Sequence, residues 1–273
     1  MKKGAWSNFI LILVLLAGLS LLLYPSFSDY WNSLHQSRAI TVYADSVAEL
    51  DKEDYQHILD EAVAYNRDLL SRENQFSLTN DQRRAYPELL NLAGNGVMGY
   101  IEIPSINCSL PIYHGVDEAV LQVAIGHLDW TSLPTGGEST HCVLSGHRGL
   151  PSAKLFSELD KLREGDLFML RVLDELFTFE VDKILIVEPD EVDALLIQEG
   201  KTLCTLVTCT PYGINTHRIL VRGHRVDNIE AAQVVRVTAD ALVVEKLLVA
   251  PFLLAPLLLV LLSVALIPSR NKD

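Results

Sequence analysis

Thr205-Leu206-Val207-Thr208-Cys209 is an apolar, β-branched run that stops at a cysteine. A loop-like stretch, Thr210-Pro211-Tyr212-Gly213, follows it, and Arg218 opens a second β-rich run, Ile219-Leu220-Val221-Arg222. Upstream lies Leu144-Ser145-Gly146-His147-Arg148-Gly149. A cysteine, a histidine and an arginine at strand ends are the parts of a thiolate acyl-transfer site. The thiolate attacks a carbonyl, the histidine moves a proton, and the arginine holds the oxyanion.

The spacing adds geometry. Along the run 203–208 side chains alternate, so Leu203, Thr205, Val207 and Cys209 share one face. Residues 210–216 contain Pro211 and Gly213 and read as a hairpin loop. Antiparallel pairing of the two runs then sets Cys209 beside Arg218. A cation there lowers a thiol pKa from its usual value of about 8.5. Arg222 shares the strand parity of Arg218 and rivals it, with Arg225 and Arg148 further behind. Histidine is harder to place, because there are eight. His35 and His57 fall in a helical region, His114, His127 and His141 in a β-rich one, and His217 and His224 flank Arg218 and Arg222. Glycines around His147 suit an exposed exit from a strand, but pattern alone does not select it.

The elements that must hold these residues begin at Val97. Short apolar runs alternate with turn signals at 98–103, 109–113, 141–145, 167–172, 176–187, 203–209 and 218–226. That spacing predicts a mainly β domain, a barrel or sandwich, over residues 97–228. Helical inserts are expected at 152–162 and 189–199. An extension, 28–96, precedes the domain. It carries helical patterns at 28–50 and 51–72, the second with Asp51 as N-cap and an apolar face from Tyr55 to Leu70. Residues 73–95 read as a connector.

Two apolar segments account for the 49% hydrophobic content of the 273 residues. One runs from Phe9 to Tyr24 and is closed by Pro25. It makes residues 1–27 a membrane anchor or the apolar part of a signal segment. The other, 247–267, reads as a transmembrane helix, joined to the barrel by a linker at 229–246 and followed by a tail at 268–273. Lys2 and Lys3 before the first segment, and Arg270 and Lys272 after the second, place both termini in the cytoplasm and the domain outside. A net charge of −13 argues against nucleic acid as a partner. None of the four cysteines forms a C-x-x-C pair, so no zinc site is expected. Cys108, Cys142 and Cys204 lie in apolar runs and read as core.

Taken together, Thr205–Cys209, Gly146-His147-Arg148-Gly149 and Asn215-Thr216-His217-Arg218 resemble the sortases, membrane-anchored cysteine transpeptidases of Gram-positive bacteria. The resemblance implies a closed β-barrel, no metal or organic cofactor, and a site made of Cys209 as nucleophile, His147 as general acid/base and Arg218 as oxyanion stabiliser. The helical extension, the C-terminal apolar segment and Pro211-Tyr212-Gly213 resemble class C, the pilin polymerases. That class implies cleavage of an LPxTG-like signal between Thr and Gly, with pilin subunits as partners and a pilin lysine as acceptor. A housekeeping-type enzyme using cell-wall amines is the alternative, and a non-enzymatic surface domain a third. Class C enzymes usually carry an Asp-Pro-aromatic lid. No Asp-Pro occurs in residues 28–96, so Cys209 is expected to be more open than is usual for the class.

Overall fold

A computed structural model of the protein describes residues 3–72 and 74–228. The linker at 229–246, the apolar segment at 247–267 and the tail at 268–273 lie outside the described residues. Eight strands close into a barrel: β1 (Val97–Ile103), β2 (Cys108–His114), β3 (Ile125–His127), β4 (Thr140–Ser145), β5 (Leu167–Val172), β6 (Glu175–Val187), β7 (Thr202–Thr210) and β8 (His217–Val226). Their order around the barrel is β1-β2-β3-β4-β7-β8-β6-β5. Every strand except β3 falls on an anticipated run, to within one residue at each end.

The alternation of side chains sorts the strands into two faces. Inward residues, among them Ile101, Ile112, Leu144, Phe168, Leu170, Phe179, Leu206 and Val221, fill the barrel. Phe168 and Phe179 stack with ring centroids 5.3 Å apart. Cys142 and Cys204 face each other across the parallel β4–β7 ladder inside this core. Cys108 packs against the core, and burial pushes its thiol up to about 12. All three behave as small apolar side chains, and all four cysteines are free thiols. The outward residues Val143, Val207 and Leu220 make a second cluster, roofed by Leu195 from the β6–β7 loop.

β3 escaped the sequence because three residues show no alternation. It pairs parallel to β2 and antiparallel to β4. Gly126 at its centre is a packing requirement, since a Cβ there would fall 1.9 Å from the Gly115 carbonyl oxygen. The expected inserts are shorter than predicted. Residues 152–162 contain only a 3-10 turn at Leu159–Lys161, and 189–199 only one at Asp193–Leu195. The apolar residues of the second segment cluster because they cover the barrel's outer face, not because they follow a helical period. A short helix, α4 (Glu118–Leu121), precedes β3.

N-terminal to the barrel, α1 (Lys3–Ala48) is one helix with Pro25 inside it, so no break separates the apolar segment from the extension. Among the described residues it is the one helix long and apolar enough to cross a membrane. α2 (Lys52–Leu70) starts as expected, with Asp51 Oδ1 accepting from the N–H groups of Glu53 and Asp54, both at 2.9 Å. Its buried residues Ala62, Tyr65, Asn66 and Leu69 follow the helical period. Asn66 binds the β3–β4 loop from both ends of its amide, donating to Leu133 O at 3.1 Å and accepting from Leu133 N at 2.7 Å. α3 (Asn80–Ala85) forms within the connector, fixed by a capping box between Thr79 and Gln82.

Because backbone atoms cannot yield at Gly126, Gly126→Ala is expected to cost about 2–3 kcal/mol of stability, the upper range of overpacking. Urea denaturation measures it, and wild-type stability would show that the Gly115–Gly126 approach is not kept.

Candidate active site

The β4–β7 ladder is parallel, and its last pair is Ser145 with Val207. The Gly146 N–H still donates to Val207 O at 3.0 Å. His147 and Cys209 each stand two residues beyond that pair, so they leave the barrel side by side. On the other side of β7, the antiparallel ladder to β8 pairs Cys209 directly with Arg218. Two-residue periodicity from Val143, Val207 and Leu220 puts His147, Cys209 and Arg218 on the outer face. The three positions lie abreast at one end of the barrel, with Cys209 in the middle. The rival arginines are committed elsewhere. Arg222 makes a two-point ion pair with Asp182 at 2.9 and 2.8 Å, and Arg225 stacks 5.0 Å from the Phe177 ring.

Local chemistry shapes each position. Cys209 is half-buried at the strand end. The following loop turns through Gly213 and Asn215, both at positive φ, with Ile214 N and Asn215 N donating to Pro211 O. Arg218 Nη1 donates to the carbonyls of Asn215 and His217 at 3.2 and 3.1 Å. The His147 backbone is fixed by Phe156 N donating to His147 O at 3.1 Å. Its Nε2 is shielded from solvent, makes no hydrogen bond, and lies 3.8 Å from a Glu118 carboxylate oxygen. A ring nitrogen held this way is free to exchange a proton with a bound substrate.

The comparisons with known proteins give the family and the fold. A sortase-domain family model matches residues 101–226. Sortase D of Bacillus subtilis is 34% identical over 131 residues, which is 47% of this chain and 63% of that protein. The chain thus matches somewhat less than two thirds of the length of this curated relative. Sortase C1 of Streptococcus agalactiae superposes with a TM-score of 0.68 at 52% identity, covering 70% of this chain and 99% of that one. The chain belongs to the sortase family. A sortase C of Streptococcus pneumoniae, whose structure was described with regard to pilin substrate specificity, follows at a TM-score of 0.63 and 41% identity, covering 70% and 97%.

Three features of this sortase's site were not legible in its sequence. Glu118, beside His147, belongs to no motif. Arg148 has its side chain almost fully buried, donates from Nη1 to Thr210 Oγ1 at 3.3 Å, pairs with Asp160 and lies 5.8 Å from the Tyr212 ring. It therefore ties the loop carrying His147 to the residue after Cys209. The roof is the third feature. The α2–α3 connection lies against it, with Ile197 N donating to Gln75 Oε1 at 3.0 Å and Phe76 edge-on to Trp130 at 5.0 Å. This segment holds the wall of the outer face without an Asp-Pro anchor.

His141 pins the roof to the barrel. Its ring bonds Leu196 O at 2.9 Å and Thr205 Oγ1 at 2.7 Å. The Leu196 carbonyl must accept, so Nδ1 carries the proton, and Nε2 accepts from the Thr205 hydroxyl. Burial lowers its pKa from 6.5 to about 4, so the ring is neutral in the fold. The unfolded chain takes up this proton first. Stability is therefore full above about pH 6.5 and falls as pH drops toward 4, by about 3 kcal/mol at the limit. Burial lowers His114 as well, adding loss in the same direction. His141→Gln is expected to flatten the pH dependence of the urea midpoint between pH 6.5 and 4. An unchanged slope would remove His141 from this role.

Proposed function

We propose that this sortase is a cysteine transpeptidase that joins pilin subunits. The observation that carries the reading is the alignment of positions 147, 209 and 218 across β4, β7 and β8. Cys209 Sγ attacks the Thr carbonyl carbon of an LPxTG-like signal, and Arg218 stabilises the tetrahedral oxyanion. The bond from Thr to Gly breaks, His147 Nε2 gives its proton to the leaving glycine amine, and a thioester remains on Cys209. A lysine amine of another pilin subunit then attacks the thioester. His147 takes its proton, an isopeptide bond forms, the C–S bond of the thioester breaks and Cys209 is released as the thiolate. The two half-reactions give ping-pong kinetics. Support for the pilin acceptor comes from the sortase C structures, which this chain matches over nearly their whole length. α1 anchors the enzyme in the membrane, with the barrel on the outer side and both termini cytoplasmic.

Cys209→Ala is expected to abolish acyl-enzyme formation in a mass spectrum taken with a sorting-signal peptide. Arg218→Ala should lower kcat by about 100- to 1,000-fold while a thioester still forms. Full activity of Cys209→Ala would sink the assignment. Wall-linked monomers in place of pilin ladders on gels would give the acceptor role to cell-wall amines.

A further inference from the structure

α1 does more than tether the barrel, because hydrogen bonds fix it along the barrel wall at two levels. Near Ala48, the Tyr43 hydroxyl donates to Met98 O at 3.0 Å and accepts from Leu173 N at 2.7 Å. Leu173 begins the β5–β6 turn, and β6 runs from that turn to Val187, which pairs with Arg218. Tyr43 therefore marks the end of the barrel remote from the site. Nearer the apolar segment, Asn32 Nδ2 donates to Ser152 O, Lys154 N donates to Asp29 Oδ1 and Gln36 Nε2 donates to Val123 O, each at 2.7 Å. Ser152 and Lys154 belong to the loop that starts at His147. Val123 follows α4, whose Glu118 approaches His147. Followed from residue 43 back to residue 29, α1 climbs from the remote end to the reactive end, then continues toward residue 10 as an exposed apolar helix.

We propose that the reactive end of the barrel rests on the membrane surface, with Tyr212 and Ile214 against the lipid headgroup layer. This rests on reading α1 as the membrane anchor. Tyr24 ends the apolar run, and Phe27, Tyr30 and Trp31 are exposed just beyond it, as in an interfacial aromatic belt. Asp29 stands five residues past Tyr24, a rise of about 8 Å, and a headgroup layer is roughly 5–7 Å thick. The loop that α1 grips is therefore at the level where headgroups end. Gly149 lies three residues before Ser152 in that loop, so at most about 11 Å away. A Cβ on Gly149 would come within 3.1 Å of the Tyr212 ring. Tyr212 and Ile214 are apolar yet 62% and 68% exposed at this end of the barrel. A bilayer beneath the reactive end, continuous with the span of α1, covers them. α1 stays helical through Pro25 at this boundary, so one continuous helix sets the height of the site. Substrates are then those whose scissile bond is presented close to the membrane.

The test uses the full chain in phosphatidylcholine–phosphatidylglycerol vesicles carrying a headgroup-nitroxide lipid, with single-tryptophan variants. One variant keeps Trp31 and has Trp6 and Trp130 replaced by Phe. The other has all three replaced and carries Ile214→Trp, with Tyr212→Trp as a second form should the first not fold. Nitroxide should quench the loop tryptophan as strongly as Trp31. Quenching of Trp31 alone would overturn the proposal and leave the anchor intact. Quenching of neither would remove the anchor and the proposal together. A loop tryptophan that lipid leaves unquenched but a sorting-signal peptide shields would assign the loop to substrate instead.

Discussion

The parallel pairing of β4 with β7 is the constraint on which the site depends. Two parallel strands in register must leave the sheet at the same end, so their following residues emerge together. That places the glycine-flanked His147 beside Cys209 although 61 residues separate them in sequence. The antiparallel return of β8 adds Arg218 on the other flank. Barrel closure holds the three strands in one register, because sliding any of them by one residue would carry inward residues such as Leu206 to the outer face. The three candidate residues sit outside while the interior stays apolar and packed. A parallel pair needs a long crossover connection, and here the crossover is itself used. It contains β5 and β6, which complete the barrel, and the loop that roofs the outer face.

How much of this could be read from the sequence follows from which contacts are local. The Cys209–Arg218 pairing was legible because a short loop with Pro211 and Gly213 joins two alternating runs, and hairpin register follows from loop length. Asp51 as the cap of α2 was legible for the same reason. The neighbour of Cys209 on the β4 side was not, since nothing between residues 145 and 203 announces a parallel pairing. The choice of His147 among eight histidines therefore came from resemblance. Residues 189–199 misled because apolar side chains gathered to cover a surface look like those gathered on a helix face. Pro25 misled in the opposite direction. A proline ends most helices, yet α1 runs through it. Arg148 stood in plain view next to His147, but its role depends on Thr210, Asp160 and Tyr212, which only the fold brings to it.

Two of the places where the fold leaves polar groups unpaired lie on the loop that leaves β4. Among the described residues, four buried side-chain nitrogens lack a hydrogen-bond partner: Arg72 Nη1, Gln75 Nε2, His147 Nε2 and Arg148 Nε. Two belong to the loop leaving β4 and one to the segment against the roof. An unpaired buried donor or acceptor costs about 1–3 kcal/mol, so stability alone would favour their removal. On the proposed reading the amine released by acyl transfer meets His147 Nε2. The neighbouring Arg148 must then stay rigid, because it sets the position of Thr210 and, through it, of Cys209 relative to the histidine loop. A local cost in folding is thus the condition for a ring nitrogen that is positioned but uncommitted, on the loop that leaves the barrel beside Cys209.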